Sequence, residues 1–108
     1  MSVRAERLAR NEAFFRELNE RLEALTPDSA SELVVVCECA DEDCAQRLIL
    51  RPEEYEEIRA HDTHFVVALG HVDSRIEDVL RRNDRFEVVA KRGTAAEVAE
   101  DLDPRDAA

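Results

Sequence analysis

The chain has 108 residues, with 26 acidic and 15 basic side chains that give a formal net charge of -11. A chain of this length predicts one domain with a modest core, and its negative charge disfavours nucleic acid and anionic membrane surfaces as partners. No apolar run approaches the roughly 18 residues of a membrane span, and the charged amino-terminal stretch does not resemble a signal peptide, so we expect a cytoplasmic protein.

The first predicted element is a long amphipathic helix over residues 1–26. An apolar stripe runs along it at spacings of three, four and seven residues, formed by Leu8, Phe15, Leu18, Leu22 and Leu25. Such a stripe usually packs on the domain's own sheet. It can instead contact a protein partner or a second copy of the chain, so both interpretations stay open.

Residues 32–103 predict an α+β domain that opens with a hairpin. The β-branched run Leu33–Val36 and the run Arg47–Leu50 are typical of strands, and an acidic loop connects them. Pro52 followed by two glutamates predicts the start of a short helix. His64–Leu69 is apolar on both faces and predicts a central strand.

The last third of the chain contains two apparent helix starts. Ser74-Arg75-Ile76-Glu77 and Thr94-Ala95-Ala96-Glu97 both have the form of a capping box, and Phe86–Lys91 between them alternates like a strand. Residues 104–108 are expected to be a frayed tail. The predicted order is α-β-β-α-β-α-β-α, with four strands in one mixed sheet.

All three cysteines lie in the predicted hairpin loop, in the pattern Cys37-x-Cys39-x4-Cys44. Zinc is held by about four ligands, and thiolates from one tight turn readily supply several of them. The sequence therefore predicts a structural zinc site, although thiolate and imidazole ligands also suit iron or copper.

Two other uses of the cysteines are open. In the first, Cys37 is a small core residue and the other two are incidental. In the second, Cys39 and Cys44 form a thiol-based redox or metal-responsive sensor. The acidic residues of the loop argue against the second use, because they are expected to raise the thiol pKa values.

A fourth ligand would come from one of three histidines. A crossover that makes the third strand parallel to the second would bring His61 or His64 to the thiols, and this arrangement is slightly favoured. If the third strand instead runs parallel to the first, its far end would bring His71 there.

The chain also resembles a group of small uncharacterised proteins from high-GC, actinobacterial-type bacteria. The likeness rests on Val36-Cys37-Glu38-Cys39, Cys44, Pro52-Glu53-Glu54-Tyr55, Gly70-His71 and Phe86–Lys91, and it extends to the amino-terminal helix. It implies that Cys37, Cys39, Cys44 and His71 are the shared set, which makes His71 the expected fourth ligand.

Four protein ligands would leave no position for a catalytic water. HExxH, Ser-His-Asp and glycine-rich phosphate-loop patterns are absent from the sequence. We therefore expect a non-enzymatic interaction or regulatory domain that holds zinc and uses its first helix for a protein partner or for self-association.

Overall fold

The computed structural model describes residues 3 to 106, so the first two residues of the predicted helix and the last two of the predicted tail lie outside it. In chain order the elements are α1 (Val3–Leu25), β1 (Leu33–Val36), β2 (Arg47–Leu50), α2 (Pro52–Arg59), β3 (His64–Val67), β4 (Glu77–Arg82), β5 (Glu87–Lys91), α3 (Gly93–Asp101) and a 3-10 turn at Pro104–Asp106. The α+β class and the long amino-terminal helix are confirmed.

The strands form two small antiparallel sheets, so the prediction of one four-stranded mixed sheet was wrong. β1 pairs with β2, while β3, β5 and β4 form a second sheet with β5 in its centre. Glu38, which follows β1, joins the two sheets. Its backbone N–H donates to the carbonyl of Val66 at 2.9 Å, and its carboxylate accepts the Val66 N–H at 3.0 Å. A side chain thus bridges the sheets at this point.

The segment predicted as a helix from Ser74 to Asn83 contains the strand β4 instead. Glu77 does accept a backbone N–H, from Asp73 at 2.9 Å, but its carboxylate lies in the interior beside Lys91. The strand ends before Asn83. The side-chain oxygen of Asn83 accepts the backbone N–H groups of Arg85 at 2.7 Å and of Phe86 at 2.9 Å, and these bonds close a turn into β5. Pairing with β5 therefore outweighs the local helix signal.

Helix α1 buries a polar face, and the predicted apolar stripe does not form its inward side. The buried residues are Ala9, Glu12, Ala13, Arg16 and Asn19. Arg16 donates to the carbonyl of Ala99 at 2.7 Å, and the Asn19 amide pairs with both backbone groups of Val36 at 2.8 Å. Hydrogen bonds therefore compensate much of the cost of burying these side chains.

The main core lies between the two sheets and α2. Phe65, Val66 and Val67 of β3 are fully buried, and Tyr55 and Ile58 of α2 pack into the same cluster. Among residues 3–106, none of the helices combines the length and the apolar composition that crossing a membrane requires.

Candidate metal centre

Four side chains with metal-ligating atoms converge at one end of the β1–β2 hairpin. The thiols of Cys37, Cys39 and Cys44 and a ring nitrogen of His71 all lie within 4.8 Å of one another. Three of them belong to the loop between β1 and β2, and His71 follows β3. The structure thus brings together the three cysteines and the histidine that the resemblance implies, and not the histidines that the crossover argument favoured.

A tight turn in the acidic loop returns Cys44 to the other two cysteines. Cys44 donates its N–H to the carbonyl of Asp41 at 3.0 Å, and Asp43 donates its N–H to the Asp41 carboxylate at 2.9 Å. Aspartate commonly stabilises turns in this way, through a side-chain bond to the backbone two residues on. The hairpin then resumes, since Cys37 donates its N–H to Gln46 at 2.8 Å.

A second turn places His71. His71 donates its N–H to the carbonyl of Ala68 at 3.0 Å, and Gly70 has a φ of 80° at the third position of the turn. Turns of type II need a positive φ there, which glycine adopts without steric cost. The Gly70 N–H donates to the carboxylate of Glu87 at 2.9 Å, so the central strand β5 anchors this turn.

Two of the distances between these atoms match those around a tetrahedral zinc ion. The sulfur atoms of Cys37 and Cys44 each lie 3.6 Å from Nδ1 of His71. An ion about 2.3 Å from sulfur and about 2.05 Å from nitrogen, with tetrahedral angles, places those two atoms about 3.6 Å apart. The ligand set also fits, because three thiols and one imidazole form a known structural zinc shell.

The site is buried on one side and open on the other. Cys37 and Cys39 are 0% and 2% exposed, whereas Cys44 and His71 are half-buried. The sulfur of Cys37 accepts the backbone N–H of Ala68 at 3.1 Å. A hydrogen bond of this kind favours the thiolate form, which is the form that binds metal.

The thiols also alter one another's acidity. A hydrogen bond from Cys37 lowers the pKa of Cys39 to about 5, and the same bond, together with burial, raises the pKa of Cys37. Burial raises the pKa of Cys44. The main cause of each shift is a bond to another thiol or burial, and not the acidic side chains of residues 41–43, which are exposed to solvent.

The other two histidines lie elsewhere. The rings of His61 and His64 stack on each other with centroids 4.3 Å apart, beside a cavity between α2 and β4. The alternative that favoured His64 placed β3 parallel to β2 in one sheet, but β3 lies in the other sheet. The carboxyl end of β3, and not its start, meets the end of β1, where Ala68 donates its N–H to Cys37.

Sequence reasoning missed Glu38, which it assigned to the solvated acidic loop. Glu38 is fully buried, and its carboxylate accepts hydrogen bonds from Val66 at 3.0 Å and from Asn19 at 2.8 Å. Burial raises the pKa of this carboxyl. The Cys-Glu-Cys pattern did not signal this burial, because alternate residues of an extended chain point to opposite sides, and two inward cysteines would leave the glutamate between them facing solvent.

A scan against models of protein families, a search of curated proteins and a search of solved structures each gave no match. The chemistry of the cluster is therefore the basis for any functional proposal.

Proposed function

We propose that this chain is a non-enzymatic interaction module whose fold is cross-linked by one zinc ion held by Cys37, Cys39, Cys44 and His71. The observation that carries the proposal is the pair of 3.6 Å distances from two thiol sulfurs to Nδ1 of the histidine. An ion at this point would tie the hairpin loop to the turn after β3.

The donor set supports a structural role. Four protein ligands complete a tetrahedron, and a complete shell leaves no open position for a catalytic water. Two of the thiols belong to the main core cluster, so loss of the ion would disturb packing as well as the loop. Three reduced thiols also favour a reducing compartment, and we propose the cytoplasm.

The direct test is the metal content of the purified chain. We expect about one zinc per chain after purification without added metal. Cobalt(II) exchanged into the site should show intense absorption from sulfur-to-metal charge transfer and the visible bands of tetrahedral cobalt. A folded chain without zinc, whose stability chelator does not change, would refute the proposal.

The chain offers a matched pair of histidine variants for the fourth ligand. His71→Asn should lose the metal or lower its affinity at least about tenfold, as expected for loss of a ligand. His64→Asn changes a histidine of similar partial burial that lies away from the thiols and should keep full metal content. If the two variants kept the same metal content and affinity, His71 would not be a ligand.

A second candidate function is a thiol redox sensor that uses Cys39 and Cys44. The observation in its favour is that these two sulfurs lie within 4.8 Å of each other while Cys44 is partly exposed. A hydroperoxide would accept two electrons from the two thiols, forming the disulfide, an alcohol and water. Mass spectrometry after mild peroxide separates the two functions: metal that protects the thiols supports the zinc module, and a clean disulfide in the metal-loaded chain supports the sensor.

The interaction surface that we propose is the outer face of α1. Its buried side is polar, while several large apolar side chains point outward, including Phe14, Leu18 and Leu25. A helix with this distribution of apolar groups is suited to a protein contact.

A further inference from the structure

A cavity of about 360 Å³ lies beside the candidate metal centre, and two residues of the centre, Cys39 and His71, line it. Its other walls include Leu8 of α1, Asp41 of the cysteine loop and Arg75 of the segment after β3. Asp41 and Arg75 are exposed, so the cavity opens to solvent. A volume of this size is at the lower end of the range for small-molecule sites. A small molecule can therefore approach two of the proposed ligands from solvent.

The lining of this cavity carries more negative than positive charge. Asp41 and Asp73 supply two carboxylates and Arg75 supplies one guanidinium, which is bonded to Asp73 at 2.8 and 2.6 Å. A zinc ion bound by three thiolates and one neutral imidazole would add a further net negative charge. Asp73 offsets the charge of Arg75, so Asp41 and the thiolates leave the cavity negative. It therefore favours a ligand that carries a positive group.

Entry through the cavity leaves the packing around the centre in place. Cys37 is 0% exposed and its sulfur accepts the backbone N–H of Ala68 at 3.1 Å, so an approach from that side would open the main core. The cysteine loop is held against α1 by Asn11, which donates a side-chain hydrogen bond to the carbonyl of Ala40 at 3.3 Å. A molecule that enters the cavity needs to break neither contact.

We propose that this cavity admits small aminothiols to the metal, so that zinc leaves the chain by ligand exchange while the fold stays intact. This inference rests on the proposed function, because it states how the same site would give up its ion. The incoming thiol loses its proton to the buffer, and its sulfur donates an electron pair to zinc. Cys39 or His71 leaves with the electron pair of its own bond, and no group is oxidised or reduced. The rate of zinc loss would thus follow the thiol concentration around the protein.

Zinc release from the zinc-loaded full chain tests this route. The chain is mixed under nitrogen with pyridylazoresorcinol, which changes colour when it captures zinc, and with increasing cysteamine. We expect the release rate to rise linearly with cysteamine at constant circular dichroism, because the thiol takes part in the rate-limiting step. A rate that does not depend on cysteamine would overturn the proposal, since zinc would then leave by opening of the site alone.

The charge of the thiol tests the class of ligand. Cysteamine carries an ammonium, mercaptoethanol is neutral and mercaptopropionate carries a carboxylate, and their rates are compared per thiolate because the three thiols differ in acidity. At low salt, cysteamine should act at least about tenfold faster than mercaptopropionate, with mercaptoethanol between them. Added salt should narrow the difference, because it screens the charges of the cavity. An equal or reversed order would overturn the preference for aminothiols.

Arg75→Glu makes the cavity more negative and gives a test with opposite signs. It should raise the rate with cysteamine and lower the rate with mercaptopropionate, each about threefold or more. General loosening of the site would instead raise both rates and contradict the proposal. Arg81→Glu is the matched control, because the two arginine side chains are 54% and 52% accessible and each forms an ion pair with a carboxylate. Arg81 lies on β4 beside a different cavity, so both rates should stay within about twofold.

A substitution that fills the cavity tests the path directly. Leu8→Trp adds an indole to its wall and should lower the slope of rate against cysteamine at least about fivefold, while the zinc affinity at equilibrium stays the same. Leu22→Trp is the control, because Leu22 is also half-buried on α1 but lies about 21 Å further along the helix. If Leu8→Trp folds, holds zinc and keeps the slope, thiols enter beside the partly exposed Cys44 and the cavity route is wrong. If Leu8→Trp does not fold, the charge variants decide.

Zinc content is measured on every preparation, which keeps this inference separate from the metal proposal. A chain that holds zinc but releases it at a rate independent of thiol overturns the exchange route and leaves the zinc module intact. A chain that never holds zinc refutes both.

Discussion

Two clusters of polar side chains among the described residues are built differently. One is the cluster of three thiols and His71, and the other consists of Glu12, Glu77 and Lys91. Each cluster joins segments that are far apart in the sequence. The charge cluster contains its own cation, since the Lys91 ammonium contacts both carboxylates and also lies 4.6 Å from the centroid of the Phe65 ring. The thiol cluster contains no lysine or arginine, and its sulfur and nitrogen atoms are of the kind that binds a metal cation.

This difference determines what each cluster needs in order to be stable. Lys91 is held by the chain itself, so α1 and the second sheet are joined whenever the chain is folded. The thiol cluster would be complete only when a metal ion is present, so its stability would depend on metal supply. The charge cluster has two carboxyl groups and only one lysine, so its charges do not balance when both acids are ionised. Burial raises the pKa of Glu12 to about 9.

The largest expected effect is removal of metal by chelator. We expect a loss of at least about 5 kcal/mol in the free energy of unfolding, because structural zinc sites carry apparent binding free energies of about 10 kcal/mol. Hydrogen exchange should show where the loss falls. The amides of Cys37, Cys44 and His71 should lose protection first, while those of β5 keep theirs longer. Equal loss of amide protection around the thiols and in β5 would show that the two clusters are not independent.

The next largest effect is expected at the other cluster. Lys91→Met leaves the buried acidic pair Glu12 and Glu77 without its cation and should destabilise the chain by about 3–5 kcal/mol. Urea unfolding of metal-loaded protein measures this loss. Arg81→Met is the control, because Arg81 is an exposed cation of β4 whose side chain is 52% accessible, and it should change stability by less than about 0.5 kcal/mol. A loss below about 1 kcal/mol for Lys91→Met would contradict a dominant role for the lysine.

A smaller effect with a defined pH dependence is expected for Glu12→Gln. The pKa of Glu12 is raised by burial from its ordinary 4.5 to about 9, with Glu77 acting in the same direction and Lys91 opposing. A group with a raised folded-state pKa contributes stability below about pH 4.5, and that contribution is lost as the pH rises to about 9. Glutamine cannot ionise, so the variant should gain about 1–3 kcal/mol over the wild type near pH 8 and little near pH 4.5.

Thermal unfolding from pH 4.5 to pH 9 measures that difference, with Glu53→Gln as the control. The Glu53 side chain is 73% accessible, so its substitution should leave the pH profile unchanged. Parallel profiles for Glu12→Gln and the wild type would show that Glu12 ionises as freely in the folded chain as in the unfolded one.

The two clusters also mark the limit of what the sequence predicts. The three thiols lie within eight positions, so their clustering is a local pattern that spacing reveals. The contact of Glu12 with Lys91 depends on how α1 packs on β5, and nothing in the spacing of charges indicates it. Helix α2 followed from Pro52, a local signal, whereas β4 was missed because its pairing with β5 is a long-range contact. The buried polar face of α1 was missed for the same reason, since amphipathic patterns assume an apolar inward side.

The smallest expected effect separates placement of the metal ligand from stability. Gly70 and Gly93 both have positive φ, 80° and 55°, and a Cβ built at either one meets nothing within 4 Å. Alanine at each position should therefore cost about 1 kcal/mol, from backbone conformation alone. Only Gly70 sits in the turn that carries His71, so Gly70→Ala should also lower zinc affinity, severalfold in a competition titration, while Gly93→Ala leaves it unchanged. If both variants lost equal stability and neither lost affinity, the turn would not be what positions the imidazole, and the cysteine loop alone would determine the strength of the site.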